Sequence, residues 1–214
     1  FKCRCSPVKS NHLSKVLLPI GVLSTSFLTP CLADDSKGVY VRPSIGYSDI
    51  SDITASALGV SVNTEIDAGV AYGINFGYDF GNDIRTEIGY DKTTGDFSKI
   101  AGTSITGDID ASTFSASVFK DFSGDSKFTP YIGAGFGTTS IDVSTLTISG
   151  TSYAGSNSDT ETLTLTLGTN YEFNEGSNLF IEGNYRNVGD VTVSGVKYSD
   201  ISTIGVNAGI KFTF

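Results

Sequence analysis

The chain has 214 residues, of which 39% are hydrophobic and 17% charged, with a formal net charge of −9. Such low fractions, with 25 glycines and abundant Ser, Thr and Asn, exclude a helical bundle and favour short alternating strands with polar loops. The acidic balance disfavours binding of nucleic acid through a basic patch.

The first 33 residues differ in composition from the rest. An apolar stretch, Val16–Leu28, follows four basic residues, and the small residues Cys31 and Ala33 come next. This pattern predicts a secretory signal peptide (1–33) cleaved after Ala33, since the apolar run is short for a membrane span. Cleavage would leave 34–214 as one domain without Cys or His, because Cys3, Cys5, Cys31 and His12 all precede it. With 10 basic and 23 acidic residues remaining, the net charge would be −13, and no disulfide framework is expected.

Eight later segments alternate apolar and polar residues with a period of two, which is typical of strands with two unlike faces. The second is the most regular: Tyr72, Ile74 and Phe76 alternate with Gly73, Asn75 and Gly77. In chain order the segments are Gly38–Ser48, Asp67–Phe80, Asp83–Lys92, Ile109–Phe122, Pro130–Ile141, Thr162–Phe173, Asn178–Val188 and Gly205–Phe214.

The connections alternate in length. Short turns rich in Gly, Asn, Asp and Ser join segments two to three, four to five and six to seven. The other links are long, polar stretches, expected to be loops: Asp49–Glu65, Thr93–Asp108, Asp142–Glu161 and Gly189–Asp200. Tight turns at one end and longer loops at the other are typical of transmembrane barrels. We therefore expect both termini in the periplasm and the long loops outside the cell.

The polar faces distinguish a membrane barrel from a soluble sandwich. They are rich in glycine, as at Gly73, Gly77, Gly133 and Gly135, which suits a narrow interior better than a wet surface. Aromatic residues cluster near the segment ends, where an interfacial girdle would lie. The sequence therefore predicts an all-β fold, an eight-stranded antiparallel up-and-down transmembrane β-barrel. Pairing of the last strand with the first would leave no exposed edge.

Several motifs resemble the OmpA-like outer-membrane β-barrel family, which includes opacity proteins and small "porin family" surface proteins. The resemblance rests on VYVRPSIGYS, GYDFGNDIRTEIGY, TPYIGAGFG and NYRNV, in this order, and extends over nearly all of residues 38–214. It implies an eight-stranded barrel in the outer membrane of a Gram-negative-type bacterium, in contact with outer-membrane lipids. It also implies that the terminal Phe214 is an assembly signal, read by the barrel assembly machinery.

Six charged residues fall on the faces that we expect to point inward: Arg42, Arg85, Glu87, Glu182, Arg186 and Lys211. They could line a gate or selectivity filter. The favoured interpretation is a paired interior charge network, because eight strands leave room for little beyond side chains.

Other chemistry finds little support. GAGFG (Gly133–Gly137) lacks the spacing and the following helix of a nucleotide-binding loop. The pairs Asp49 with Asp52 and Asp108 with Asp110 could hold Ca²⁺, but solvated loop acids fit better, so no metal or cofactor is expected. Lipid-modifying barrels use a catalytic His, and none follows Ala33, so we expect no enzyme.

Three functions remain in order of preference. The first is a structural or surface-interaction role through the exposed loops, with a possible extracellular partner. The alternative is a narrow porin-like channel for ions or very small solutes, and the least favoured is a lipid-modifying barrel enzyme.

Overall fold

A computed structural model describes residues 37–51, 53–57, 60–100, 103–148, 150–193, 196–199 and 201–214. The predicted signal peptide lies outside these residues, as does Asp52. Within them no helix has the length and apolarity to cross a membrane.

Eight long antiparallel strands form the wall of a closed barrel. Their bounds are β1 Gly38–Ile50, β4 Gly69–Asp79, β5 Ile84–Ile100, β7 Asp108–Asp121, β8 Phe128–Val143, β11 Ser156–Asn174, β12 Ser177–Val188 and β15 Ser202–Thr213. Each pairs with the next in this order, and β15 pairs with β1 from Tyr40 opposite Thr213 to Ile50 opposite Thr203. The predicted eight-stranded up-and-down barrel is confirmed.

Tight turns connect the strands at one end, which we call the short-turn end. Gly81 and Gly176 adopt positive φ angles of 72° and 74°, which glycine allows without strain. The chain terminus lies at the same end, where the Phe214 amide donates a 2.9 Å hydrogen bond to the Val39 carbonyl. The last residue thus continues the pairing that closes the barrel.

The opposite, long-loop end differs from expectation, because much of the chain assigned to loops is strand. Its additional strands are β2 Ile53–Ala57, β3 Val60–Asp67, β6 Thr103–Thr106, β9 Leu146–Ile148, β10 Thr151–Tyr153, β13 Val191–Val193 and β14 Val196–Ser199. The hairpin β13–β14 pairs with β2, and β9 pairs with β6. We call these strands, with the adjoining ends of the barrel strands, the loop collar.

Five of the barrel strands, β1, β5, β7, β8 and β12, exchange their polar and apolar faces as they enter the collar. Along β5, Arg85, Glu87 and Asp91 point inward and Ile88 points outward, whereas farther along Phe97 is buried inside and Asp96 is exposed. An apolar outer face suits lipid, and an apolar inner face suits water outside. The alternation therefore continues through the collar with the apolar residues on the inner face, so an apolar outer face does not indicate these strands.

Candidate functional site: the barrel interior

A network of charged side chains fills the barrel at its centre. The Arg42 guanidinium donates to Glu87 Oε1 at 2.8 Å and to Glu182 Oε2 at 2.9 Å. Arg85 donates to Glu87 as well, and its Nε lies 3.0 Å from Asp121 Oδ1. The two arginine side chains are 1% and 0% exposed. Four strands, β1, β5, β7 and β12, are thereby joined across the interior.

Two tyrosines from facing strands add hydrogen bonds to this network, although Arg42 Nε and Arg85 Nη2 have no hydrogen-bond partner among the described residues. The Tyr40 hydroxyl donates to Glu87 Oε1 at 2.8 Å, and the Tyr131 hydroxyl donates to Glu182 Oε2 at 2.7 Å. Arg42 also donates to the Tyr131 oxygen at 2.9 Å. Buried charges require such partners, because an unpaired ion in the interior is strongly destabilising.

Aromatic rings pack against both guanidinium groups. The Arg42 guanidinium carbon lies 3.9 Å from the centre of the Phe180 ring, and that of Arg85 lies 4.0 Å from the centre of the Phe119 ring. These are favourable cation–π distances. The rings therefore occupy part of the barrel interior beside the network.

Glycines on the inner faces provide the space for these rings. A β-carbon at Gly133 would collide with the Phe119 ring, and one at Gly77 would collide with Tyr40. Gly168 stands against Tyr131 in the same way. The inward glycines therefore act as sockets, meaning positions where the missing side chain leaves space that a large ring from another strand occupies.

The six charged residues predicted to point inward all lie inside the barrel, in three separate groups. Arg42, Arg85, Glu87 and Glu182 belong to the central network. Arg186 pairs instead with Asp91 at 3.1 Å, nearer the collar, and Lys211 pairs with Asp79 at 3.3 Å, at the short-turn end.

Five partners were not among the predicted site residues: Tyr40, Asp79, Asp91, Asp121 and Tyr131. Asp79 and Asp91 share the inward parity of their strands, so the alternation could have identified them. The acids at Asp79 and Asp121 resemble turn residues because they end their strands. The tyrosines are aromatic residues on an otherwise polar face, and the alternation alone does not indicate their hydrogen bonds.

A cluster of apolar side chains fills the long-loop end of the same interior. We call it the apolar plug: Ile50, Ile66, Phe97, Ile105, Ile109, Val188 and Ile201. Ile141, Val143, Leu146 and Tyr198 pack against it. Each residue of the plug is at most 9% exposed. The interior therefore holds two layers of side chains, charged groups in the barrel and apolar groups in the collar.

The outer wall carries a band of exposed apolar side chains. Phe76 is 52% exposed and Leu165 is 50% exposed. Aromatic residues border the band at both ends, among them Tyr47, Tyr90, Phe114 and Phe136 toward the collar, and Phe80, Phe122, Phe128 and Phe214 at the short-turn end. An outward apolar band between two aromatic girdles is the surface that a transmembrane barrel presents to lipid.

Within the described ranges, no three His, Cys, Asp or Glu side chains come together as a metal site. Asp110 pairs with Lys92 at 2.8 Å, and Asp108 opposes Asp96 across the strand pair.

Comparison with known proteins agrees with this architecture. The model of the family described as outer membrane protein beta-barrel domain matches residues 16–214. A search of curated proteins found no match.

Solved structures of outer-membrane proteins share the fold. Neisserial surface protein A (NspA) is 22% identical, with a TM-score of 0.56, over 83% of this chain and 97% of its own. OprG from Pseudomonas aeruginosa is 16% identical, with a TM-score of 0.61, over 84% of this chain and 97% of its own. The outer membrane protease OmpT from Escherichia coli is 10% identical, with a TM-score of 0.50, over 83% of this chain and 97% of its own. At these identities the likeness concerns the fold. The extent of the family match, together with the closed eight-stranded barrel, makes this chain a member of the outer membrane protein beta-barrel domain family, located in the outer membrane of a Gram-negative-type bacterium.

Proposed function

We propose that this protein acts at the cell surface through its loop collar, and that the barrel anchors the collar without conducting solutes. The filled interior carries this proposal. An ion or solute moving along the axis would have to displace the Arg42–Glu87–Arg85 network and then cross the apolar plug. The first step separates buried ion pairs, and the second removes a solute from water.

The collar supports the surface role. Its strands pair with one another and pack on an apolar core, so it offers a folded surface rather than separate mobile loops. Its outer face is polar, with exposed Asp49, Asp96, Asp142 and Glu161. We place this end outside the cell because long connections of outer-membrane barrels are extracellular.

Recordings from planar bilayers test whether the barrel conducts. We expect wild-type protein, refolded and inserted, to give no discrete conductance steps. Stepwise wild-type conductance would contradict the proposal and would support the narrow channel instead. Glu87 is the position where such a channel would open, since both Arg42 and Arg85 depend on it.

A double variant shows which layer closes the interior. Phe97→Ser adds a polar group to the plug, and Glu87→Ala removes the shared carboxylate of the network. If each layer is a complete seal, each single variant stays silent and only the double variant conducts. Leu165→Ala, on the outer wall, is the matched control and should stay silent.

We also infer that the protein is not an enzyme. His12 is the only histidine, and the three cysteines all precede residue 34. The commonest acid–base and nucleophilic pairs therefore cannot be assembled from residues 34–214. Hydrolysis of a fluorogenic ester, lipid or peptide by purified barrel, above a heat-unfolded control, would overturn this inference.

A further inference from the structure

A groove of about 420 Å³ lies on the outer wall, where β4, β5 and β7 run side by side. The outward side chains that line it are Phe76, Tyr78, Thr86, Ile88, Ala116 and Val118. We call it the wall groove. These side chains point away from the central network, so the wall groove is a feature of the outer surface and not of the barrel interior.

The wall groove is concave because small side chains stand between large ones. Thr86 lies between Tyr78 on β4 and Val118 on β7, and Ala116 lies beside it on β7. The Tyr78 ring packs edge-on against the Phe80 ring, with the ring centres 5.0 Å apart. This contact holds the Tyr78 ring in place as one side of the groove.

The position of the wall groove identifies its occupant as lipid hydrocarbon. Phe76 and Ile88, on its border, are 52% and 54% exposed and belong to the apolar band of the outer wall. In an outer-membrane barrel this band contacts the bilayer. A flexible acyl chain that fills the depression gains close contacts with its sides and floor, which a chain on a convex part of the wall does not make.

The Thr86 hydroxyl points to the polar part of the same lipid. It lines the groove among apolar neighbours and makes no side-chain hydrogen bond with any residue that the structure describes. An unpaired hydroxyl in hydrocarbon is unfavourable. Tyr78, opposite Thr86, is two residues from Phe80 of the girdle, or about 5 Å along the membrane normal at a tilt of about 40°. The ester carbonyls of phospholipids lie near this depth and accept hydrogen bonds.

An exposed ion pair lies on the headgroup side of the wall groove. Lys120 follows Val118 by two residues on the outer face of β7, and its ammonium lies 3.1 Å from Asp83 Oδ2. The two side chains are 44% and 41% exposed. A hydrogen bond from the Ser123 hydroxyl and the nearby Lys120 ammonium lower the pKa of the Asp83 carboxyl, which is therefore ionised at neutral pH. Exposed pairs contribute little to stability, so both charges can be shared with a ligand.

We propose that the wall groove and the Lys120–Asp83 pair bind one phospholipid with an ethanolamine headgroup. An acyl chain lies in the groove, and the Thr86 hydroxyl donates to an ester carbonyl. The Lys120 ammonium binds the phosphate, and the Asp83 carboxylate accepts the headgroup ammonium. From mid-membrane to the short-turn end, Thr86, Lys120 and Asp83 follow the order of ester, phosphate and amine in such a lipid. The proposal rests on the place of the barrel in the membrane and is independent of whether the barrel conducts.

Native mass spectrometry of the full chain, refolded in detergent, tests the proposal. The protein is incubated with phosphatidylethanolamine or phosphatidylglycerol of identical acyl chains, and the lipids retained per barrel are counted after release of the detergent. We expect the wild type to retain one lipid and to prefer phosphatidylethanolamine by roughly two- to fivefold, as for exposed charge pairs. Asp83→Asn should abolish this preference. Ala116→Phe fills the groove and should reduce retention of both lipids by roughly tenfold, because about two methylenes lose their contacts.

Two matched controls separate the site from general effects on the barrel. Ala208→Phe adds the same ring at an exposed position of β15, elsewhere on the outer wall. Asp125→Asn removes an exposed acid from the neighbouring short turn. Both should retain lipid like the wild type. Folding of every variant is checked by heat-modifiable gel mobility, and Thr86→Leu decides the outcome if Ala116→Phe does not refold.

Four results would overturn the proposal. The first is wild-type protein that retains no lipid, and the second is equal retention by the wild type and the groove variant, since the lipid would then bind elsewhere. The third is a headgroup preference that is absent from the wild type or survives in Asp83→Asn, which would exclude the ion pair from the site. The fourth is a dimer that disappears in Ala116→Phe, because a second copy of the chain would then cover the groove.

Discussion

Replacement of Leu165 by Arg tests which face of the barrel wall contacts lipid. Leu165 lies on β11, is 50% exposed, and is opposite Ala134 on one side and Tyr185 on the other. If this face meets hydrocarbon, the guanidinium must leave water in the folded state. If the face were wet, the change would be nearly neutral.

The depth of Leu165 sets the expected magnitude. On the same face of β11, Tyr171 lies six residues toward the short-turn end and Glu161 four residues toward the collar. At about 3.3 Å per residue and a tilt of about 40°, these separations correspond to about 15 and 10 Å along the membrane normal. Their sum matches an apolar band of about 25 Å, and Leu165 lies close to its centre. Arg at mid-membrane destabilises an outer-membrane barrel by about 2–4 kcal/mol.

The measurement is reversible urea unfolding of the barrel in phosphatidylcholine vesicles. Since the chain contains no Trp, folding is followed by far-UV circular dichroism and by heat-modifiable gel mobility. Glu161→Arg is the matched control, because it places the same side chain on the same face at the edge of the band, where the cost falls to about 0–1 kcal/mol. Equal costs for the two variants would refute the assignment of this face to lipid.

Three further predictions concern the network, the terminus and the topology. Glu87→Ala should reduce the free energy of unfolding by about 3–5 kcal/mol in the same urea assay, because two buried arginines lose a shared partner, and Glu182→Ala should cost less because Arg42, which loses this partner together with Tyr131, still pairs with Glu87. Phe214→Ser should refold in detergent like the wild type but give a lower outer-membrane yield in cells; an equal yield would show that the aromatic end is only an interfacial anchor. An epitope inserted at Gly150, at the tip of the β9–β10 hairpin, should be detected on intact cells, and one at Gly124 only after permeabilisation, whereas the reverse result would invert the topology.

The barrel could be predicted from the sequence because lipid imposes a simple rule on the wall. Most outward residues in the band are apolar, so the period of two is visible at positions such as Phe76 and Ile88, whatever lies inside. Closure then follows, since an open edge in hydrocarbon would leave backbone groups unpaired. The inward direction of Arg42 and Arg85 follows from the same parity.

The pairing inside the barrel could not be predicted to the same extent. Parity places Arg186 inside, but only the register of the strands brings it beside Asp91 rather than Glu182. The sockets at Gly77 and Gly133 depend on which ring lies opposite, which is likewise a property of the closed barrel. The collar was missed because its strands follow the soluble pattern, with apolar residues such as Phe97 inside.

The reversal of faces where strands such as β1, β5 and β7 enter the collar also fixes the height of the protein in its membrane. Sinking by one residue pair would bring Asp49, Asp96 and Glu161 into hydrocarbon, and rising by one pair would expose Tyr78 and Leu179 to water. Both displacements raise the free energy, and the penalties on the different strands add. The residue pattern of the chain, rather than any bound partner, therefore holds the collar at a constant distance above the lipid. A bilayer of different thickness must adapt to the barrel.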